Sequence, residues 1–271
     1  MKNLKHSIEI AWDDQKLIKT PEILKSIDEV VSRLDSGEIR VSEKTDGKWL
    51  VNEWIKKAVI MHFPSKESET FRAGPMEFHD KLKLKTGYAE KGIRVVPHAI
   101  ARYGAFIDRD VILMPSYVNI GAYIGSRTMI DTWATIGSCA QIGSDVHVSG
   151  GVGIGGVLEP IQASPVIIED GCFIGSRSII VEGIQIGEEA VLGANVVLTA
   201  STKIFDVSGN KKIEFKGQIP PRSVVIPGTT LKSFPAGDFQ VPCALIIGKR
   251  KKSTNLKTSL NDALRDFNVA V

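Results

Sequence analysis

The sequence predicts a mainly β protein: a parallel β-helix of hexapeptide repeats, with an α-helical N-terminal domain and a small C-terminal strand and helix extension. Three features of one stretch, Ile100 to Leu198, support this prediction. Large apolar residues recur there with a period of six, glycine often follows them directly, and small or β-branched residues stand four positions after them. A period of six excludes an amphipathic helix, whose apolar face recurs near every 3.6 residues.

The repeat has two runs of large apolar residues, which we call anchors. In a β-helix of this type each hexad forms a short strand and a turn, three hexads close a triangular coil, and coils stack about 4.8 Å apart. We expect the anchors and the small residues to point inward, in about five coils. The anchors are Ile100, Phe106, Ile112, Val118, Ile124, Ile130, Ile136, Ile142, Val148, Ile154, Ile168, Ile174, Ile180, Ile186, Leu192 and Leu198.

Residues 1–92 carry no hexads and are predicted to form the mainly helical domain. Thr20-Pro21 predicts a helix start, because a hydroxyl can cap the first turn and proline suits the first helical position. Gly37 is placed to end that helix. Asp46-Gly47 predicts a hairpin turn and Trp54–Met61 a second helix, whereas residues 64–92 receive no firm element.

Residues 93–230 are predicted to form the β-helix, with two excursions from it. A loop is expected at 155–167, because the anchors on either side are fourteen residues apart instead of twelve. A hairpin is expected at 203–218, around a Ser-Gly-Asn turn. Residues 231–271 are predicted to contain a strand at Val241–Ile247, then a basic run and a closing helix at Leu260–Phe267.

Composition excludes several classes of protein. Basic and acidic residues number 34 and 31, for a net charge of +3, which is too balanced for nucleic acid as the main partner. The N-terminus lacks an apolar run and no segment approaches a membrane span, so no membrane partner is expected. Three cysteines without metal-like spacing argue against a disulfide framework and favour a reduced, cytoplasmic setting.

Two other kinds of site are disfavoured by their context. Gly151, Gly153 and Gly156 spell G-x-G-x-x-G, but they lie in the hexad frame without the strand and helix of a dinucleotide-binding unit. A zinc site of the three-histidine kind is also disfavoured, since only His98 and His147 lie in the coil region. No metal is therefore expected.

Six stretches of sequence are longer and more specific than the hexad pattern. They are Arg94–Pro97, Met114–Gly121, Met129–Gly143, Val148–Pro160, Leu34–Gly37 and Trp54–Ala58. Together they resemble the tetrahydrodipicolinate N-succinyltransferase family of hexapeptide-repeat acyltransferases, over nearly the whole chain. The resemblance implies a left-handed β-helix and a homotrimer with sites between subunits. It also implies succinyl-CoA as co-substrate, with no permanently bound cofactor.

The reaction that the resemblance implies is transfer of succinyl from succinyl-CoA to the amine of ring-opened tetrahydrodipicolinate, in lysine and diaminopimelate synthesis. The family's substrate-binding arginine matches Arg94, and its acidic residue matches Asp131. A dicarboxylate needs a fixed cation, and the protonated amine needs a base. Each residue has a structural alternative: a surface salt bridge for Arg94, and a turn bonded to its own backbone for Asp131.

One departure from the family concerns a second carboxylate. The family often carries glutamate where this chain has Ile179, which cannot move protons. Either Asp131 suffices, or another acid such as Glu182 or Glu159 takes part. His147 is expected to face outward near the glycine-rich turn, as a base, a substrate or loop contact, or a plain surface histidine.

Further tentative contacts surround these residues. Ser149 is a second candidate for substrate contact, and the glycines beside it either admit an oxyanion or merely permit tight corners. The pantetheine arm of CoA is expected along small coil residues, and its phosphates near the basic tail, which can equally be a solvated surface. These CoA candidates are Gly175, Ser176, Ala194, Arg222, Lys249 and Arg250.

Two other functions stay open from the sequence. One is a CoA-dependent acyltransferase of the same coil type with a different amine or sugar acceptor. The other is a non-catalytic β-helical binding protein, which would be expected to show regular coils without the out-of-frame loop at 155–167.

Overall fold

Short parallel strands stack into the three flat faces of a triangular prism in the computed structural model, which describes residues 1–251 and Phe267. Face 1 contains Arg94–Val95, Ile112–Leu113, Met129–Ile130, His147–Val148, Phe173–Ile174, Val191–Leu192 and the start of Ser223–Phe234. Face 2 contains Ile100–Ala101, Tyr117–Val118, Thr135–Ile136, Gly153–Ile154, Ile179–Ile180 and Val197–Leu198. Face 3 contains Phe106–Ile107, Tyr123–Ile124, Gln141–Ile142, Ile167–Ile168, Gln185–Ile186 and Gln218–Ile219.

The prism confirms the predicted fold, with one coil more than the anchors alone indicate. Faces 2 and 3 each have six strands in the described part of the chain. Arg94–Val95 and Gln218–Ile219 lie outside the anchor frame yet pair in parallel with anchored strands, so the period of six undercounts the coils. The prism interior is one continuous apolar core.

The expected inward direction is wrong for the first three anchors. Ile100, Phe106 and Ile112 are only half-buried, on the outside of the prism. Their neighbours fill the interior instead: Ala101, Ile107 and Leu113 are at most 1% exposed.

A shortened turn explains this shift. Leu113 and the next inward residue, Val118, are five positions apart, whereas Ile130 and Ile136 are six positions apart. The turn at Met114–Ser116 lacks one residue of the standard corner, so the frame moves by one position. The residues on both sides of the first three anchors are apolar, and the period alone could not reveal the change.

Three helices build the N-terminal domain: α1 (Lys2–Asp13), α2 (Pro21–Ser36) and α3 (Glu53–Ser65), with short 3₁₀ turns at Gln15–Lys19 and Ala89–Lys91. Pro21 opens α2, and Gly37 ends it with φ +79°, as predicted. The predicted cap by the Thr20 hydroxyl is wrong, because Thr20 Oγ1 donates to Leu17 O at 2.8 Å and accepts no hydrogen bond from the first turn of α2. The sequence did not indicate α1, which buries only Ile8 and Ala11.

Two hairpins complete this domain. One pairs Ser42–Thr45 with Lys48–Val51 around the predicted Asp46-Gly47 turn. The other pairs Glu69–Ala73 with Met76–Asp80, where the sequence assigned no element.

A long loop leaves the prism between Gly153–Ile154 and Ile167–Ile168, in agreement with the fourteen-residue spacing. Fully buried Lys56 of α3 holds this loop, since its Nζ donates to Pro160 O and Ala163 O at 3.0 Å each. Burial lowers the pKa of Lys56, and two carbonyl oxygens offset part of the cost of burying it. The loop therefore joins the helical domain to the prism.

The C-terminal region begins inside a strand. Ser223–Phe234 leaves face 1 and pairs antiparallel with Gly237–Lys249 in a long hairpin, so the predicted boundary at 230 cuts a continuous strand. The strand predicted at Val241–Ile247 lies within the second arm. A smaller hairpin pairs Ile204–Asp206 with Ile213–Phe215, within the predicted excursion. The helix predicted at Leu260–Phe267 lies outside the described residues, Phe267 excepted.

Within residues 1–251, no helix is long and apolar enough to cross a membrane.

Glycine at the prism corners is required by the stacking distance. A Cβ on Gly137 would lie 2.1 Å from Gly156 N, and one on Gly125 would lie 2.6 Å from Gly143 C. Each of these neighbours is backbone of the next coil, which hydrogen bonds hold in place and which cannot withdraw.

We expect Gly137→Ala to lower the free energy of unfolding by about 3 kcal/mol, because the added methyl separates two coils. Chemical denaturation measures this loss. Gly209→Ala is the control, since a Cβ there meets no atom within 4 Å. Equal stability of the two variants would contradict the packing role of Gly137.

Candidate active site

The corner between faces 1 and 2, which we call the 1–2 corner, contains five of the twelve predicted site residues: Asp131, Ser149, Gly175, Ser176 and Ala194. Its turns stack in register, because Asp131 N donates to Val148 O at 2.9 Å and Ser149 N to Ile174 O at 3.0 Å. Asp131 and Ser149 are therefore neighbours on successive coils. The four complete turns of this corner are Asp131–Ala134, Ser149–Val152, Gly175–Ser178 and Gly193–Val196.

Asp131 has one carboxylate oxygen bound and one available. Its Oδ1 accepts hydrogen bonds from Thr132 N at 2.6 Å and from Thr132 Oγ1 at 3.2 Å. Asp131 therefore does bond the backbone of its own turn, which was the structural alternative considered for it. Its Oδ2 accepts no hydrogen bond from the described residues, and the side chain is half-buried. The fixed turn thus presents one free anionic oxygen to the corner.

His147 lies one coil above Met129 on face 1, beside the Asp131 turn. Its ring stacks on Phe173, with 4.7 Å between centroids and 12° between planes. Burial lowers the pKa of His147, and the Asp131 carboxylate opposes this by a smaller amount. Burial thus favours the neutral imidazole, and its nitrogens bond no described residue. Ser149, on the Asp131 side, is 5% exposed.

In the glycine-rich stretch, three backbone amides donate to carbonyl oxygens of neighbouring coils and one bonds no described residue. Gly151, Gly153 and Gly155 donate theirs to Thr132 O, Ser178 O and Ile180 O, at 2.8 to 2.9 Å. These three serve coil stacking. The amide of Gly150 has no acceptor among the described residues, and it borders the 1–2 corner.

Arg94 lies on the same face as Asp131, two coils below it. Its strand pairs with Ile112–Leu113, which pairs with Met129–Ile130. Two coil spacings place the two backbones about 10 Å apart along the prism. The Arg94 side chain is exposed and bonds no described residue, so the salt bridge considered as its alternative is absent.

The two alternative carboxylates lie elsewhere in the protomer. Glu182 is at the corner between faces 2 and 3, where its Oε2 accepts a hydrogen bond from Ala200 N at 2.9 Å. Glu159 is exposed in the loop that leaves face 2. Ile179 points outward from face 2 and is 38% exposed. Within one protomer, Asp131 is not joined by Glu159 or Glu182.

The candidates for CoA contact fall into two groups. Ser176 and Ala194 are exposed at the 1–2 corner, above Asp131. Gly175 is at this corner too, but it is buried. A Cβ on Gly175 would lie only 2.5 Å from Gly193 C of the next coil. The small size of Gly175 therefore serves the neighbouring coil, and its contact with CoA stays a prediction.

The basic candidates lie at the corner between faces 3 and 1, the 3–1 corner. Arg222 forms an ion pair with Glu189 and donates to Arg250 O at 2.8 Å. Arg250 is 5% exposed and donates to Gly171 O at 3.0 Å. Exposed Lys249 donates to Pro221 O at 2.9 Å. The structure thus places all three away from Asp131, in bonds that close the last coil.

Sequence reasoning missed two residues at the 1–2 corner, Trp133 and Arg177. They line an open groove of about 470 Å³ together with Thr132, Gly150, Gly151 and Ser176. Trp133 is 71% exposed. Both residues have positive φ, near 60°, which favours glycine or asparagine. A large side chain at the position where other coils have Gly151 or Asn195 was the signal that could have identified them.

The structure describes no group of three or more His, Cys, Asp or Glu side chains that could hold a metal ion between residues 1 and 251.

Comparison with known proteins agrees with the geometry. Residues 3–64 match the family model for the N-terminal part of tetrahydrodipicolinate N-succinyltransferase, and residues 165–200 match the hexapeptide repeat of succinyl-transferase. The 2,3,4,5-tetrahydropyridine-2,6-dicarboxylate N-succinyltransferase of Acinetobacter baylyi is 49% identical over 90% of both chains. The chain belongs to the tetrahydrodipicolinate N-succinyltransferase family.

Other comparisons agree to different degrees. The same-named enzyme of Wolbachia, subspecies Brugia malayi, is 48% identical over 98% of this chain and 99% of its own. A solved serine acetyltransferase in complex with cysteine aligns over 56% of this chain and 45% of its own. Its TM-score is 0.34 at 21% identity, too low to add to the argument.

We expect NMR titration to give His147 a pKa below the ordinary value of about 6.5, because burial disfavours the charged ring. Asp131→Asn should lower the pKa further, since it removes the nearby negative charge that favours protonation. Asp46→Asn, in the remote hairpin turn, is the control and should leave it unchanged. A rise of the His147 pKa in Asp131→Asn would contradict the assigned contact.

Proposed function

We propose that this protein transfers succinyl from succinyl-CoA to the amine of ring-opened tetrahydrodipicolinate, 2-amino-6-oxopimelate, in lysine and diaminopimelate synthesis. The relatives carry the name of this activity. The observation that supports it best in this chain is the 1–2 corner, where Asp131 Oδ2 and, one coil above, the Gly150 amide bond no described residue. The ring of His147 lies beside this corner on face 1.

The reaction needs a base, because an alkyl amine is protonated at neutral pH and cannot attack. Asp131 Oδ2 can bind the ammonium and accept its proton while Thr132 holds Oδ1 in place. The amine nitrogen then attacks the thioester carbonyl, a C–N bond forms, and the C–S bond breaks. The nitrogen then loses its second proton, and the departing thiolate takes up this proton to give the amide and free CoA.

Negative charge develops on the thioester oxygen during this attack. A backbone N–H aimed at that oxygen stabilises the charge, and such a donor is worth most when no other acceptor competes for it. Gly150 offers such an amide next to Asp131, and its missing side chain leaves the approach open.

Arg94 is proposed to bind the far carboxylate of the acceptor. It stands about 10 Å below Asp131 along face 1, and its side chain shortens that gap. A seven-carbon dicarboxylate with its amine at Asp131 spans a comparable length. The free guanidinium can form a bidentate pair with the carboxylate, which lysine cannot reproduce.

The donor is proposed to lie along the upper 1–2 corner, with its pantetheine arm near Ser176 and Ala194. We further propose a cytoplasmic homotrimer with sites between subunits. Exposed apolar side chains on and beside face 2 support an assembly, since Trp133, Ile179 and Val197 are 71%, 38% and 45% exposed.

Release of free thiol from succinyl-CoA, with and without the amino-dicarboxylate acceptor, tests the function. Acceptor-dependent thiol release supports the proposal. Release with another amine alone would favour an acyltransferase of different acceptor, and the absence of release would favour a binding protein.

We expect Asp131→Asn to lower kcat/KM by about 10²- to 10⁴-fold, because the amide cannot accept the proton. Its amide oxygen can still accept the Thr132 hydrogen bonds, so CoA binding should be unchanged by calorimetry. Glu182→Gln, at another corner, is the matched control and should retain activity. Full activity of Asp131→Asn would remove this residue from the mechanism.

We expect Arg94→Lys to raise the KM for the acceptor on the order of tenfold with little change in the KM for succinyl-CoA, because the bidentate contact is lost. Steady-state kinetics with each substrate varied in turn measures this. Arg109→Lys, an exposed arginine at the 3–1 corner, serves as control. An unchanged acceptor KM would count against the assigned role of Arg94.

A further inference from the structure

A second unpaired arginine stands on the other side of Asp131 along the prism. Arg177 occupies the 1–2 corner two coils above Trp133. Its backbone amide donates to Gly150 O of the coil below at 3.0 Å, and the amide of Gly151 donates to Thr132 O of the next coil down at 2.8 Å. The Arg177 side chain is exposed and forms no hydrogen bond or ion pair with any described residue. Arg222 and Arg250, by contrast, are held by internal bonds.

The stem of the Arg177 side chain lies over Gly151 of the coil below, because a Cβ built on Gly151 would meet Arg177 Cγ at 3.3 Å. A larger residue at 151 would push the stem away. Arg177 thereby lines the groove together with Trp133, Gly150 and Ser176, and Thr132, the neighbour of Asp131, lines it too.

The backbone of Arg177 has the ordinary conformation of its turn. Its φ is 59°, and Trp133, Gly151 and Asn195 at the equivalent positions have φ of 60°, 70° and 60°. What distinguishes Arg177 is an exposed cationic side chain at the groove that pairs with no described residue. Such a guanidinium is available to bind a carboxylate.

We propose that Arg177 binds the terminal carboxylate of the donor's acyl group and so selects succinyl-CoA over acetyl-CoA. The inference rests on the proposed function, which places the thioester carbon beside Asp131 and Gly150. In an extended succinyl group the carboxylate lies about 4 Å from that carbon. The backbones of Arg177 and the Asp131 turn are two coil spacings apart, about 10 Å in total. An arginine side chain extended along the groove would leave a gap of about this size between its guanidinium and the Asp131 turn.

Arg94 and Arg177 would then each bind the carboxylate of a different substrate. Arg94, below Asp131, faces the acceptor, and Arg177, above it, faces the donor. Acetyl-CoA has no second carboxylate, so it gains nothing from Arg177. Selectivity between donors becomes a difference in one charge-assisted contact.

The test compares succinyl-CoA with acetyl-CoA as donors for Arg177→Gln. We expect kcat/KM for succinyl-CoA to fall about 10- to 100-fold, while that for acetyl-CoA stays unchanged. Arg177→Lys keeps the charge without the fork and should fall in between. Arg109→Gln removes an exposed, unpaired arginine at the 3–1 corner and should alter neither donor. Thermal unfolding of each variant confirms an intact fold.

Other results would overturn the assignment. An equal fall for both donors would show that Arg177 serves CoA itself or the fold. A raised acceptor KM with an unchanged donor ratio would assign Arg177 to the acceptor.

Calorimetric affinities of succinyl-CoA and acetyl-CoA without acceptor separate this inference from the proposed function. A preference for succinyl-CoA that vanishes in Arg177→Gln supports the role of Arg177 even if no acceptor is turned over. Absence of a preference in the unaltered protein rejects it, whatever the activity.

Discussion

Parallel hydrogen bonds between coils hold each turn of the prism about 4.8 Å above its equivalent in the coil below. At this distance the corners meet backbone to backbone, which is why Gly125, Gly137 and Gly175 have no room for a Cβ. Because of these bonds, the number of residues between two positions determines how far apart they lie along the prism axis. Ile124 and its partner Ile142 are eighteen positions apart in sequence, which is the length of one coil.

The candidate site follows from the bonds that this stacking leaves unused. Half of the amides in the four turns of the 1–2 corner bond a carbonyl of an adjacent coil, as that of Gly151 does with Thr132 O. The amide of Thr132 bonds Asp131 instead, and that of Gly150 bonds no described residue. Polar groups left over at a rigid corner keep a fixed direction without a lid or a moving element, which favours electrostatic stabilisation of a reaction.

The fold was largely predictable because the period of six has one structural solution. The direction of the first three anchors was not, because Ile112 and Leu113 are equally apolar and the missing residue at the Pro115 turn leaves no periodic signal. The hairpin at residues 69–80 also escaped prediction. Its strands are mostly exposed, so they carry little of the alternation that marks a half-buried strand.

The site was predictable in part. Asp131 follows an anchor, so its place at a corner could be inferred, and the family motif drew attention to Arg94. Arg177 and Trp133 lacked such support, since their position on the corner depends on φ, which single letters do not display. For the basic tail, the charge that single letters do display left the bonding undecided. Positive charge suggested phosphate contact, whereas Arg250 bonds backbone oxygen near the last coil.

The buried ammonium of Lys56 unites the two halves of the molecule. It belongs to α3 but completes the bonding of Pro160 O and Ala163 O in the loop that leaves the prism. Neither half is self-sufficient at this junction, because separating them would strand a cation on one side and two carbonyls on the other. A chimera that combines the helical domain with another prism therefore has to supply two carbonyl acceptors for Lys56.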